Sequence, residues 1–274
     1  MKHFCIYTNR HKDKDLIVTE KIRLFLEQKG MQCIVRFSKE GLPEDADCIL
    51  VLGGDGTMLQ AAREITGNRR IPLLGVNLGT LGYLAEVEPE GISDALNQLL
   101  RGDYELESRM MLSGCIHRSD KSKQNGFALN DIVISRSASQ QVLVFNLFVN
   151  NKLLNKYLAD GMIVTTPTGS TAYNLSAGGP IVEPSARLIV VTPICPHTMN
   201  QRSVILSPED EVVIEIPAGR EGQEQTAVVN FDGCTVEVRT GDEIRIVQSD
   251  RTTDFIKLSK AGFLEVLHKK LSEN

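Results

Sequence analysis

Along the first hundred residues, short continuous apolar runs alternate with segments of helical spacing. His3 to Tyr7, Gln32 to Phe37, Cys48 to Leu52 and Ile71 to Val76 read as strands. Between them, Asp15 to Gln28 predicts an amphipathic helix closed by Gly30, and Thr57 to Ile65 is helix-like. Pro89 to Leu100 predicts a further helix, with Pro at its start and Gly102 at its end. Strand and helix in alternation imply a parallel sheet with helices on its faces.

After about Tyr104 the pattern changes to short runs rich in Val, Ile and Phe. These are Ile132 to Ser135, Val142 to Val149, Ile163 to Thr165, Leu188 to Thr192, Val212 to Ile216, Ala227 to Phe231, Thr235 to Arg239 and Ile244 to Val247. Turn signals at Asn150-Asn151, Asp232-Gly233 and Gly241-Asp242 separate several of them, which predicts a mostly antiparallel β-sandwich. The polar stretches Ser119 to Gly126 and Ala218 to Gln225 predict surface loops. Phe263 to Leu271 predicts a short helix, apolar at Phe263, Leu264, Val266, Leu267 and Leu271, which returns to the first domain. The expected division is an α/β domain of residues 1–105 with about 259–274, and a β-rich domain of residues 106–258. Neither an internal repeat nor a low-complexity linker interrupts it.

Composition narrows the function classes. At 274 residues, 42% hydrophobic and 24% charged, the chain has room for two cores and excludes a disordered, collagenous or disulfide-dense protein. Thirty Lys and Arg against 35 Asp and Glu give a net charge of -5, so no basic footprint marks nucleic acid or an anionic membrane. An anionic ligand must therefore be handled locally. No apolar run approaches the roughly 20 residues that cross a bilayer, and Met1 to Tyr7 runs into charged residues rather than a secretory core, so the expected location is cytoplasmic. The six cysteines lie far apart and read as buried reduced thiols. The five histidines do not cluster, and neither HExxH nor GxSxG occurs.

Three windows can carry chemistry. Gly53-Gly54-Asp55-Gly56-Thr57 lies between the CILVL strand and a helix, where the crevice of an open α/β sheet binds ligands. Consecutive glycines let backbone approach a phosphate, and the helix start adds a favourable dipole. A carboxylate there repels phosphate, so Asp55 must accept a proton from a nucleophile, hold a cation, or serve only as a turn or cap. The GxGxxG test fails because Leu59 stands where the third glycine would be, and GxxxxGK[ST] is absent, so neither a Rossmann dehydrogenase nor a P-loop ATPase is supported. The second window runs from Asp160 through the TTPTGSTAY string to Asn174, followed by Ser176 and Gly178-Gly179-Pro180. Its hydroxyls can bond ribose or phosphate and Tyr173 offers a face to a base, although a capped turn before a helix reads as well. The third window, Asn130-Asp131, starts a strand and taken singly is a turn. Arg202, near His197, is an exposed cation more often than a ligand contact.

Taken in order and spacing, the GGDGT loop, Leu78-Gly79-Thr80-Leu81-Gly82-Tyr83-Leu84, Asn130-Asp131 and the DGMIVTTPTGSTAYNLSAGGPI string resemble the NAD kinase family. The stretch PICPHTMNQR, Pro193 to Arg202, is similar to a further segment of that family. GGDG alone marks a superfamily shared with phosphofructokinases and lipid kinases; the TTPTGSTAY string is far more specific. The resemblance spans about Cys48 to Phe231.

That resemblance implies an enzyme that phosphorylates the 2'-hydroxyl of the adenosine ribose of NAD to give NADP. The donor would be ATP or inorganic polyphosphate. Asp55 would be the general base, with Gly54, Gly56 and Thr57 turned to the phosphates. Asn130, Asp131 and Asp160 would bond the base and ribose of NAD, while Thr171, Ala172, Tyr173, Asn174 and Ser176 would surround the rings. No metal cage is implied; Mg²⁺ would arrive on the donor phosphates, with ligation by Asp55 as the other role for that residue. A homodimer or homotetramer is implied, with the site between the two domains. Leu158 stands where many relatives carry Arg, and Cys234 where many carry Gln. Two other functions stay open: a GGDG-type kinase acting on a sugar or lipid, and a non-catalytic dinucleotide sensor.

Overall fold

The computed structural model describes residues 1–37, 41–43, 45–65, 70–79, 82–137, 142–197, 202–259 and 262–272. Thr80 and Leu81 of one motif, Thr198 to Gln201 of another, and the side chain of Leu271 lie outside the described residues. The chain divides into two units, Met1–Arg109 with Thr252–Asn274, and Met110–Arg251.

In the first unit the apolar runs become β1 (His3–Thr8), β2 (Gln32–Phe37), β3 (Cys48–Gly53) and β4 (Leu73–Asn77). They alternate with α1 (Ile17–Gln28) and α2 (Asp55–Glu64), and α3 (Ile92–Arg101) follows a short 3-10 turn at Pro89–Gly91. The sheet order is β2-β1-β3-β4 and every pairing is parallel. All residues of β3 and β4 are buried, as strands covered on both faces require. Phe4, Ile6, Leu50, Leu52, Leu74 and Val76 meet Ile22 and Leu26 of α1 and Ile92, Leu96 and Leu99 of α3 in one core. Fully burying a side chain of this size stabilises by about 1.5–3 kcal/mol.

The second unit begins inside β5 (Glu105–His117) and runs through β6 (Lys123–Ala128), β7 (Asp131–Arg136), β8 (Leu143–Val149), β9 (Lys152–Ala159) and β10 (Gly161–Thr165). A single helical turn, α4 (Tyr173–Ser176), precedes β11 (Ile189–Ile194), β12 (Val204–Leu206), β13 (Val212–Glu215), β14 (Thr226–Phe231) and β15 (Cys234–Arg239). The order β12-β11-β10-β7-β14-β15 forms one antiparallel sheet. Facing it, the first part of β16 (Glu243–Lys257) pairs with β13, β13 with β8 and β8 with β9, again antiparallel. Ile134, Phe145, Leu147, Met162, Val164, Ile214, Val229 and Ile244 fill the layer between these sheets. The last residues of β16 belong to the first unit, where Phe255 pairs with Leu73 in parallel, and α5 (Phe263–Ser272) belongs there too.

Three expectations change. Lys123 to Gly126, read as loop, are strand, because β6 pairs residue by residue with β5 from Leu112↔Ala128 to His117↔Lys123. The polar sequence of β6 gave no alternation; its partner sets the register. The segment Lys152–Ala159, KLLNKYLA, has no period of two and gives no strand signal, yet Asn150 and Asn151, both at positive φ (49° and 61°), form a turn that folds it against β8. The cysteines are free as expected, but Cys195 and Cys234 are exposed, and only Cys5 and Cys48 are fully buried.

Candidate active site

Each unit carries one group of the residues singled out by sequence, and they are built differently. In the first unit β3 ends at Gly53, Gly54 is extended (φ -134°), and α2 begins at Asp55, two residues earlier than its apolar spacing suggested. Thr57 N–H is the first to bond back, to Gly54 O at 2.9 Å, so the N–H groups of Asp55 and Gly56 stand ahead of the first intrahelical bond. Gly56 is exposed, whereas Thr57 is buried, with Oγ1 accepting from Asn9 Nδ2 at 3.3 Å. Of these, Gly56 is the one open to a ligand, and Thr57 ties the loop to the end of β1.

Asp55 is held by backbone. Tyr83 N–H donates to its Oδ2 at 2.8 Å and Leu84 N–H to its Oδ1 at 3.0 Å. Each oxygen keeps a second lone pair for a proton or cation. The carboxylate lies so close to Gly82 that any Cβ there would overlap Oδ1. The glycine of the LGTLGYL motif is thus a space requirement of the carboxylate. Burial, and next the Asp55 charge, raise the Tyr83 phenol above its ordinary range.

In the second unit Asn130 precedes β7 and Asp131 opens it, and the Asp232-Gly233 turn after β14 faces them. Asp232 accepts Leu129 N–H at 2.6 Å, Asn130 N–H at 3.2 Å and Asp131 N–H at 3.1 Å, which fixes the corner. Asp131 is only 8% exposed, and burial, followed by the Asp232 charge, pushes its carboxyl up to about 7. Asn130 O accepts from Thr165 Oγ1 and Thr166 N–H, both at 2.9 Å, while its side-chain Oδ1 is buried without a donor among the described residues. A buried acceptor without a donor is costly unless a ligand supplies one.

The TTPTGSTAY string separates into two faces. Thr165, Thr166, Thr168 and Ser170 are buried and shape the turn: Thr166 Oγ1 donates to Leu129 O at 2.6 Å and Ser170 Oγ to Pro167 O at 2.7 Å. Asn174 is fully buried and both ends of its amide are engaged, Nδ2 with Ser170 O and Pro180 O, Oδ1 with Thr192 Oγ1 at 2.7 Å. Tyr173 (46% exposed) and Ser176 face solvent, and Thr171 and Ala172 are half-buried. Asp160 lies between β9 and β10, half-buried, 3.5 Å from Arg136 Nε. Arg202 is exposed. Sequence reasoning had no role for Asp232 beyond a turn signal, and none for the Tyr83 and Leu84 amides, since backbone donors leave no residue-type signal.

No group of three or more His, Cys, Asp or Glu that could hold a metal occurs among the described residues.

The first unit presents a carboxylate and glycine backbone at a helix start on a parallel sheet, the second an Asn-Asp corner anchored by Asp232, and similarity to known proteins makes the chain a phosphotransferase acting on a hydroxyl group. Residues 5–104 match the ATP-NAD kinase N-terminal domain and residues 129–258 the ATP-NAD kinase C-terminal domain. The NAD kinase of Lachnospira eligens is 46% identical over 294 residues, covering 99% of this chain and all of that protein. That of Geotalea daltonii is 36% identical over 284 residues, covering 99% and 98%. The chain belongs to the NAD kinase family. A crystal structure of an NAD kinase from Archaeoglobus fulgidus in complex with ATP superposes with a TM-score of 0.79 at 26% identity, covering both chains fully. Yeast NADH kinase complexed with NADH shares the fold, with a TM-score of 0.82 at 24% identity over all of this chain and 88% of that one.

Proposed function

We propose that this chain transfers the terminal phosphoryl group of ATP to the 2'-hydroxyl of the adenosine ribose of NAD, giving NADP and ADP. Asp55 takes the hydroxyl proton as the ribose oxygen bonds to phosphorus and the bond from phosphorus to the bridging oxygen breaks. The observation that carries this role is the carboxylate held by two backbone N–H groups at the start of α2, beside the glycines. A ribose hydroxyl is a poor nucleophile, and a positioned base contributes about 10²–10⁴-fold to rate. Gly54 and Gly56 turn backbone to the phosphates, and Mg²⁺ travels with ATP as part of that substrate.

The acceptor falls to the second unit. Asn130, Asp131 and Asp160 bond the base and ribose, Tyr173 stacks, and Thr171, Ala172 and Ser176 line the rings. The buried, donorless Asn130 Oδ1 supports this, since an exocyclic amino group of a base would satisfy it. Asn174 acts by holding the turn that presents Tyr173. The ATP complex of the Archaeoglobus fulgidus enzyme supports ATP as donor, and polyphosphate is a second donor under the same proposal. A homodimer or homotetramer and a cytoplasmic location complete the reading; among the described residues no helix is long and apolar enough to cross a membrane. Purified protein incubated with NAD, ATP and Mg²⁺ forms NADP on this account. Phosphorylation of a sugar or lipid without NADP formation would instead favour the wider GGDG class, and dinucleotide binding without turnover a sensor.

A further inference from the structure

Lys12 was not among the residues that the sequence singled out. It sits in the turn after β1, whose shape is fixed: Lys12 and Asp13 N–H donate to Asn9 O at 2.9 and 3.0 Å, and Asn9 N–H donates to Leu52 O at 3.0 Å. Buried Asp13 accepts Thr19 N–H at 2.8 Å and Thr19 Oγ1 at 2.7 Å, which ties the turn to α1. From this anchored base the Lys12 side chain reaches the glycine loop. Its ammonium lies 2.7 Å from where a Cβ on Gly54 would be and 3.0 Å from where one on Gly79 would be. Two glycines from different loops thus leave room for one cation.

Among the described residues nothing accounts for that placement. Among the described residues the ammonium has no hydrogen bond or ion pair, and the Asp55 carboxylate is engaged by the Tyr83 and Leu84 amides. Lys12 is solvent-exposed, so a ligand can reach it. A cation at the N-terminal end of a helix is disfavoured by the helix dipole, whereas anions are favoured there. An arrangement that places an ammonium, glycine backbone and a helix start together suits a polyanion carrying more charge than one dipole can balance.

We infer that Lys12 binds the phosphate chain of the phosphoryl donor beside the glycine loop, so that the terminal phosphorus is presented to the acceptor. The inference rests on the NAD kinase reading above and adds the residue that recognises the donor. The ligand chemistry is a triphosphate or longer phosphate chain, whether carried by ATP or inorganic.

Lys12→Met and Lys12→Arg test it by steady-state kinetics with each substrate varied. Loss of one ammonium–phosphate contact lowers kcat/KM for ATP on the order of tenfold to a hundredfold in Lys12→Met, while KM for NAD stays within about twofold. Lys12→Arg, which keeps the charge with a bulkier head, falls between the two. Inorganic tripolyphosphate competes with ATP in the wild type, and its inhibition constant rises in Lys12→Met by the same factor as the effect on ATP. Tm is unchanged, since the side chain has no partner to lose. A Lys12→Met enzyme with kcat/KM for ATP within about twofold of wild type overturns the inference. So does an effect confined to ATP with tripolyphosphate unaffected, or an equal loss for both substrates with a lowered Tm. If the wild type makes no NADP, the functional reading fails; binding of tripolyphosphate to wild type and Lys12→Met, followed by calorimetry, then decides the role of Lys12 separately.

Discussion

Two aspartates illustrate how environment assigns a role to a residue. Asp55 is a carboxylate at a helix start, oriented by two amides. Asp55→Asn is isosteric but cannot take a proton, and its NH2 group gives up one of the two bonds accepted from the Tyr83 and Leu84 amides. Turnover falls by about 10²–10⁴-fold while the dissociation constant for NAD, measured by calorimetry, stays within about threefold. Asp131 is buried against Asp232, and its carboxyl titrates at about 7. The unfolded chain ionises that group near pH 4, so between about pH 4 and 7 the folded state holds the extra proton and stability falls as pH rises. Above pH 7 the loss is complete. Asp131→Asn removes this dependence: its Tm lies above that of the wild type at pH 8, and the gap narrows toward pH 5. A wild-type Tm that rises from pH 5 to pH 8 relative to Asp131→Asn would contradict the burial argument.

At the scale of elements, the glycine positions carry the most direct expectation. Gly82→Ala puts a methyl group into the Asp55 carboxylate, which must swing out of its two amide bonds. Activity then falls by about as much as in Asp55→Asn, although Gly82 itself contacts no reacting atom; circular dichroism and Tm show whether the fold is retained. The elements also show what was legible. β1, β3 and β4 are continuous apolar runs and read directly, because burial on both faces leaves only one pattern. β6 and β9 were not legible, since their pairing depends on partners and on an Asn-Asn turn rather than on their own alternation. The GGDG and TTPTGSTAY motifs located the candidate site, yet the split of the second into buried hydroxyls and an exposed Tyr173 face required the hydrogen bonds. Lys12 and Asp232 carried no signal because a lone lysine and an Asp-Gly turn are ordinary surface features in a sequence.

For the whole molecule, net charge is a poor guide to ligand. A chain of net charge -5 is proposed to bind two polyanions, with helix-start amides and Lys12 proposed to supply the positive potential in place of a surface excess. The proposed self-association has a direct readout: sedimentation equilibrium should return two or four times the 30.3 kDa chain mass, and a monomer at assay concentration would remove that part of the account. The most direct test is one assay on purified full-length protein: NADP formed from NAD, ATP and Mg²⁺, wild type against Asp55→Asn. The account predicts stoichiometric NADP and ADP from the wild type and at least about a hundredfold slower turnover from the variant with NAD binding retained. No NADP from the wild type, or undiminished turnover from Asp55→Asn, would contradict it.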